Sequence, residues 1–223
     1  MPILQGPLRG KRWIVGSSNH GCWLGSYEYN KQAAFAASIR PGNVVYDIGA
    51  HVGFYSLLAS VLVGPDGQVF SFEPFPENLG FLRKHLEMNS VTNCVVCDVA
   101  IGRSEGQAGF SPGPASTMGH LTQDPGAALS VQTDSLDAFV FSRMMPPPNV
   151  IKCDIEGGEY DALLGALTLL ARYHPTIFLA THGPKVHARC CELLQQFAYQ
   201  LKSLDGRPPD ESSEIVAVHP GVQ

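Results

Sequence analysis

The sequence has no apolar run approaching the length of a membrane span, and its N-terminus lacks the charged-then-apolar order of a secretory signal. It therefore predicts a cytoplasmic protein with no membrane partner. Charge is scarce as well: charged residues make up 16% of the chain and the net charge is -5. Only Arg9, Lys11 and Arg12 cluster, so nucleic-acid binding has no electrostatic footprint to rest on. The six cysteines form no ligand or disulfide pattern. Cys94 and Cys97 have C-x-x-C spacing, but they sit inside a strand-like run and point to opposite faces. Cys190 and Cys191 are adjacent on a helical stretch, while Cys22 and Cys153 are isolated, so all six read as small buried hydrophobes in a reducing compartment. No Gly-Lys-Ser/Thr of a P-loop, no G-x-G-x-x-G and no internal repeat occur.

What is present is organised around Asn43 to Ser56, reading N-V-V-Y-D-I-G-A-H-V-G-F-Y-S. The β-branched and aromatic first half predicts a buried strand ending at Asp47, and Phe54 to Val63 predicts a helix. Between them D-x-G-x-x-x-G makes a strand-to-helix turn, with glycines where side chains would block the approach of a ligand. Asp47 ahead of the first glycine would repel a pyrophosphate and suits a cationic end, such as the ammonium of a methionine moiety; a nicotinamide enzyme is disfavoured. At the end of the next strand Glu73 can accept both hydroxyls of a ribose. Asp47, Gly49, Gly53 and Glu73 together predict a site for S-adenosylmethionine.

A chain of 223 residues suits one α/β domain with a full core. Residues 1–27 form an N-terminal extension or cap in which Trp13, His20 and Trp23 either pack on the core or close over a substrate. Helices are predicted over 28–39, 54–63, 76–88, 134–141, 159–173 and 186–198. Strands are predicted over 44–47, 69–73, 94–98, 149–155 and 176–181, with a closing pair over 199–204 and 215–218. The alternation implies a mainly parallel sheet with helices on both faces and an antiparallel C-terminal edge strand. Residues 101–131, rich in Gly, Ser, Pro and Thr, read as a loop or hairpin insertion that selects the substrate.

The second chemical centre is V-I-K-C-D-I-E-G-G-E, residues 150–159. Alternation puts Lys152, Asp154 and Glu156 toward one side. A lysine inside a central parallel strand needs a carboxylate unless it snorkels outward, and Asp47, Glu73 and Asp98 are the candidates, with Asp47 favoured as the neighbour. Asp154 and Glu156 then stand at the carboxyl end of the sheet, where open α/β folds place ligands. Glu159 in the first turn of a helix is explained by the helix dipole alone, or faces the site. His182, ending strand five on the same edge, is a candidate for touching substrate or a metal.

The order D-I-G-A-H-V-G-F-Y-S, then F-E-P-F-P-E-N, then I-K-C-D-I-E-G-G-E-Y, with G-S-Y-E ahead of them, closely resembles the FkbM family of S-adenosylmethionine-dependent methyltransferases. The resemblance implies a Rossmann-like class I methyltransferase fold with a seven-stranded sheet, and O-methylation of a hydroxyl on a small molecule, sugar or natural product. It implies cofactor contacts from Glu28, Asp47, Gly49, Ala50, His51, Gly53, Phe54, Tyr55, Ser56, Glu73, Pro74, Asn78, Asp98, Val99, Ala100 and Asp154. Two positions depart from the usual pattern: His51 replaces the middle glycine of many class I turns, and Ala180 stands where the family tends to carry a glutamate before the strand-five histidine. Catalysis is then an in-line methyl transfer with His182 as general base and Asp154 or Glu156 orienting it or the substrate hydroxyl. A divalent metal on Asp154, Glu156 and His182 is the disfavoured variant. A non-catalytic nucleoside- or partner-binding module is the alternative reading. Nothing fixes the oligomeric state, a homodimer included.

Overall fold

The computed structural model describes residues 1–112, 119–122, 127 and 129–221. A seven-stranded sheet lies between two helical layers. Its strands are β1 (Val44–Ile48), β2 (Gln68–Phe72), β3 (Cys94–Cys97), β8 (Val150–Cys153), β9 (Thr176–Ala180), β10 (Gln200–Ser203) and β11 (Glu214–Val218), in the order β10-β11-β9-β8-β1-β2-β3. The strands β8, β1, β2, β3 and β9 pair in parallel. β11 lies antiparallel between β9 and β10, so the last strand is not an edge strand as the sequence predicts. Burial explains the swap: Ile215, Val216 and Ala217 are apolar and buried, whereas β10 alternates exposed Gln200 and Lys202 with half-buried residues.

Side-chain alternation divides the core. Tyr46, Ile48, Phe70, Phe72, Ile151 and Cys153 face one layer, containing α5 (Glu159–Leu164), α6 (Leu167–Tyr173) and α7 (Pro184–Gln196). Val45, Val69, Val150 and Phe178 face the other, with α2 (Tyr29–Ser38), α3 (Phe54–Leu62) and the N-terminal segment, whose α1 spans His20–Leu24. The helix predicted over 159–173 is two helices that part at Gly165, which sits against Gly102, whose carbonyl would lie 2.2 Å from any added Cβ. α4 (Pro76–Met88) covers β2 and β3, and all six cysteines are free.

The N-terminal segment is ordered by packing. Trp13 is 1% exposed and stacks on His85 with ring centroids 3.8 Å apart, while His85 Nε2 accepts the Ile14 N–H at 3.1 Å. The predicted insertion holds a second sheet of order β4-β7-β5-β6, from β4 (Ala100–Ile101), β5 (Gly106–Ser111), β6 (His120–Thr122) and β7 (Leu129–Asp134). Residues 113–118, 123–126 and 128 of that insertion lie outside the described residues. Among the described residues no helix is long and apolar enough to cross a membrane.

Candidate functional site

The carboxyl ends of β1, β2, β8 and β9 open onto two adjoining cavities that share Gly49, His51, Asp154 and Glu156. The first, about 580 Å³, runs past Glu73, Pro74 and Asn78 to an apolar wall of Phe72, Val99, Ala100, Ile101, Phe110 and Leu121. The second, about 930 Å³, is polar and lies between Tyr27, Glu28 and Tyr55 on one side and Ala180, Thr181, His182 and Glu214 on the other.

Three non-glycine residues on these walls hold left-handed backbone: Glu28 (φ 45°), His51 (φ 51°) and Glu156 (φ 56°). Such strain persists where surrounding structure over-determines it, and it gathers at functional sites. Glu28 caps α2, where its Oε2 accepts the Tyr55 hydroxyl at 2.8 Å and pairs with Lys31 at 3.2 Å. His51 occupies the left-handed position of the turn as the sequence allows; burial, with the Lys152 charge, pushes its imidazole down to about 4. Each turn glycine packs tightly against an internal neighbour, and Gly49 lines both cavities as well. A Cβ on Gly49 would lie 2.0 Å from the Asp154 carbonyl oxygen, and one on Gly53 2.4 Å from Leu82 Cδ1.

Asp47 is placed differently from the expectation that it grips a methionine ammonium. It is fully buried beneath the turn and lines neither cavity. Its Oδ2 accepts the Ser56 hydroxyl at 2.6 Å and its Oδ1 lies 3.3 Å from Lys152 Nζ, its register neighbour on β8. The predicted Asp47–Lys152 pairing is therefore present. Lys152 also donates to the Gly49 carbonyl at 2.7 Å, tying the turn to the strand. Burial disfavours the Lys152 ammonium, yet Asp47 and Asp154 outweigh it and hold its pKa above that of an ordinary lysine. Ser56 likewise stays beneath the turn.

Glu73 does reach the first cavity. Its Oε2 accepts the His51 N–H at 2.8 Å, and its Oε1 accepts the Phe75 N–H at 2.9 Å and Asn78 Nδ2 at 3.2 Å, which fixes the carboxylate on the cavity wall. Burial raises its pKa against those donors. Val99 and Ala100 line the same cavity, but Asp98 does not. Its carboxylate turns outward to Arg83, because β3 is the solvent-facing edge strand. Ala50, Phe54 and Tyr55 line the second cavity, whereas Gly53 lines neither.

Asp154, Glu156 and His182 converge: His182 Nε2 lies 3.8 Å from Asp154 Oδ1 and 3.5 Å from Glu156 Oε1. One ligand atom from each lies within 4.8 Å of the others. Neither carboxylate makes the strongest contact with the ring. That contact is to Glu159, fully buried, whose Oε1 meets His182 Nδ1 at 2.9 Å while accepting Gly157 N–H at 3.0 Å and Ile155 N–H at 3.3 Å. This hydrogen bond, against burial, raises the His182 pKa. Asp154, despite burial, is held below the usual range by Lys152 and Lys31. Lys31 and Glu214 have no counterpart among the sequence candidates. Lys31, 2% exposed, lies 3.3 Å from Asp154 Oδ2 and 3.1 Å from Glu214 Oε1. Glu214 stands opposite Ala180 in the β9–β11 register, so a carboxylate enters from the neighbouring strand beside the alanine. Its only sequence signal was an acidic residue directly before an apolar strand.

A ligand cleft over the carboxyl ends of a parallel β3-β2-β1-β8-β9 core, with the antiparallel β11 inserted between β9 and the edge strand β10, defines the Rossmann-like class I methyltransferase fold. The same fold is seen in the FkbM methyltransferase of Methylobacillus flagellatus, with a TM-score of 0.57 and 16% identity over 91% of this chain and 56% of that one. It is also seen in a precorrin-6y C5,15-methyltransferase of Geobacter metallireducens, with a TM-score of 0.53 and 16% identity over 91% and 84%. Residues 47–201 match the methyltransferase FkbM domain, and the chain belongs to that family. Among characterised relatives it is 28% identical to the hexuronic acid methyltransferase AglP of Haloferax volcanii over 57% of this chain and 52% of that protein. It is 28% identical to the 31-O-demethyl-FK506 methyltransferase FkbM of Streptomyces tacrolimicus over 57% and 60%. The chain thus spans between half and two thirds of the length of these relatives.

Proposed function

We propose that this chain is an S-adenosylmethionine-dependent O-methyltransferase acting on a hydroxyl of a small molecule, sugar or natural product. The observation that carries the reading is continuity: the cavity holding Glu73 runs through Gly49, His51, Asp154 and Glu156 into the cleft where Glu159 fixes His182. A ribose-accepting carboxylate beside apolar walls suits a nucleoside, and the Glu28 carboxylate suits a methionine ammonium. The cofactor would supply a methyl group on a sulfonium, already joined to a good leaving group, so the chain has to position an acceptor oxygen and remove its proton.

The Glu159–His182 pair does the second task. With Nδ1–H donated to Glu159, the lone pair of Nε2 faces the cleft and takes the hydroxyl proton as the oxygen becomes nucleophilic. The imidazolium formed is stabilised by the buried Glu159 charge. Asp154 and Glu156, on the other side of the ring, are placed to accept hydrogen bonds from the acceptor's hydroxyls. The names of the two relatives, one for a hexuronic acid and one for a 31-O-demethyl product, support sugar and natural-product acceptors. An ordered base and partner also favour chemistry over a non-catalytic binding module.

Asp154, Glu156 and His182 offer two oxygens and a nitrogen, a donor set that fits a divalent ion able to acidify a hydroxyl. The metal-free reading is preferred because Asp154 is already engaged by Lys31. The test is formation of S-adenosylhomocysteine from labelled cofactor over a panel of neutral sugars, uronic acids and polyketide alcohols. Turnover that survives EDTA and collapses in His182→Ala is expected. Loss of turnover in EDTA with recovery on added magnesium would replace the base with a metal site, and failure of wild-type protein to bind S-adenosylhomocysteine would sink the reading.

A further inference from the structure

We infer that Lys31 is a positioning residue whose ammonium takes at Asp154 the place a divalent ion would take: it keeps the acceptor end of the cleft metal-free, and without it Asp154, Glu156 and His182 become a metal site. The inference rests on the methyltransferase reading and explains its metal-free form. A lysine this deep needs partners. At 2% exposure Lys31 has left water, and an unpaired ammonium there would be costly. The partners come from three distant parts of the chain. Lys31 Nζ lies 3.2 Å from Glu28 Oε2 at the start of α2, 3.3 Å from Asp154 Oδ2 after β8 and 3.1 Å from Glu214 Oε1 on β11. An ammonium has three N–H groups, and here it meets three carboxylates.

The consequence falls on the cluster beside it. Asp154, Glu156 and His182 bring one ligand atom each within 4.8 Å of one another, two oxygens and a nitrogen of the kind a divalent ion takes. Lys31 holds Asp154 by Oδ2, so Oδ1 is the oxygen turned to His182 Nε2, 3.8 Å away. A dication entering the cluster would find half of the Asp154 carboxylate engaged and a fixed positive charge close by, an interaction that weighs heavily where water is excluded. The Lys152 charge is felt by Asp154 as well, but that ammonium is bound 3.3 Å from Asp47 and 2.7 Å from the Gly49 carbonyl. Lys31 is the ammonium in contact with Asp154. Through the same atom Glu28 on α2 and Glu214 on β11 are tied to Asp154, so Lys31 fixes where Asp154 stands as well as what it can bind.

The test is a titration of the full chain, free of cofactor and acceptor, with Mn²⁺, read by electron paramagnetic resonance and water-proton relaxation. Lys31→Met, which keeps the length of the side chain and removes its charge, should bind Mn²⁺ about tenfold more tightly than wild type or better. Lys31→Arg, which keeps the charge, should exclude the ion as wild type does, and adding Asp154→Asn to Lys31→Met should abolish the binding again. A loosened fold alone would give neither the gain nor its reversal. If Lys31→Met is insoluble, Lys31→Gln, which keeps donors for the carboxylates, carries the same expectation. Three results overturn the inference: wild type or Lys31→Arg binding Mn²⁺ as tightly as Lys31→Met, folded Lys31→Met leaving Mn²⁺ free, or Mn²⁺ binding that survives Asp154→Asn. None of them removes the methyltransferase reading, which falls instead if wild type fails to bind S-adenosylhomocysteine.

Discussion

Replacing Glu159 with glutamine tests the catalytic pair with the least disturbance. Glu159 is fully buried and its Oε1 accepts two backbone N–H groups, from Ile155 and Gly157, as well as His182 Nδ1. A glutamine oxygen can keep all three bonds, so geometry and tautomer persist while the charge is lost. A hydrogen bond to a charged group contributes about 1.5–3 kcal/mol against about 0.5–1.5 for a neutral pair. The difference, about 1 kcal/mol, acts on the imidazolium as it forms and translates to a five- to tenfold fall in kcat. The sign of the pH effect follows from what faces the ring: Glu159 from α5, and Asp154 and Glu156 from the turn after β8. All three carboxylates favour the protonated imidazole, and Glu159 heads the causes that raise the His182 pKa. The base works only when neutral, so in wild type the acid limb of the kcat profile lies above that of an ordinary histidine. Glu159→Gln moves that limb to lower pH, so the rate deficit is largest at alkaline pH and narrows in acid. Stopped assays of S-adenosylhomocysteine release from pH 5 to 9 measure both quantities. An unmoved limb, or a deficit constant with pH, would show that Glu159 acts only through packing.

Asp47→Ala should cost stability before it costs anything else. It strands the Lys152 ammonium in the core, a loss of about 3–5 kcal/mol for a broken buried pair, visible in urea unfolding. A variant as stable as wild type that fails only to bind S-adenosylhomocysteine would instead return Asp47 to direct ligand contact. Gly49→Ala combines a left-handed φ of 75° with a Cβ placed 2.0 Å from the Asp154 carbonyl oxygen, so it should lower the thermal midpoint sharply or prevent folding. A soluble Gly49→Ala protein with an unchanged midpoint contradicts the strand-packing role given to that glycine.

Much of the site was legible because it lies within short spans of chain. The strand, turn and helix at 44–62 follow from a β-branched run, two glycines and an apolar helix. The Lys152–Asp47 pair follows from the cost of an unpaired ammonium in a central strand. The convergence of Asp154, Glu156 and His182 follows from strand ends sharing one edge. Depth was the harder quantity. A strand-end acid can point at a ligand or beneath the turn, and Asp47 went beneath because Ser56 on α3 and Lys152 on β8 both meet it there. Asp98 was misplaced for the opposite reason: its strand is an edge, so solvent and Arg83 were available to it.

The partners of highest consequence came from far along the chain or carried a sufficient local explanation. Glu159 in a first helical turn is accounted for by the dipole, and nothing in its neighbours announces a histidine 23 residues on. Lys31 sits in an alanine-rich helix as one more solubilising charge until the fold brings it against Asp154, 123 residues away, and Glu214, 183 residues away. These two residues nonetheless explain why the cluster keeps its shape without neutralising itself. Lys31 holds Asp154, Glu159 holds His182, and Glu156, unlike Asp154, is left with its carboxyl pKa raised, by burial and by the neighbouring Asp154 and Glu159 charges against that of His182. A carboxylate so placed gains most from a hydroxyl donor, which is the group the proposed reaction brings.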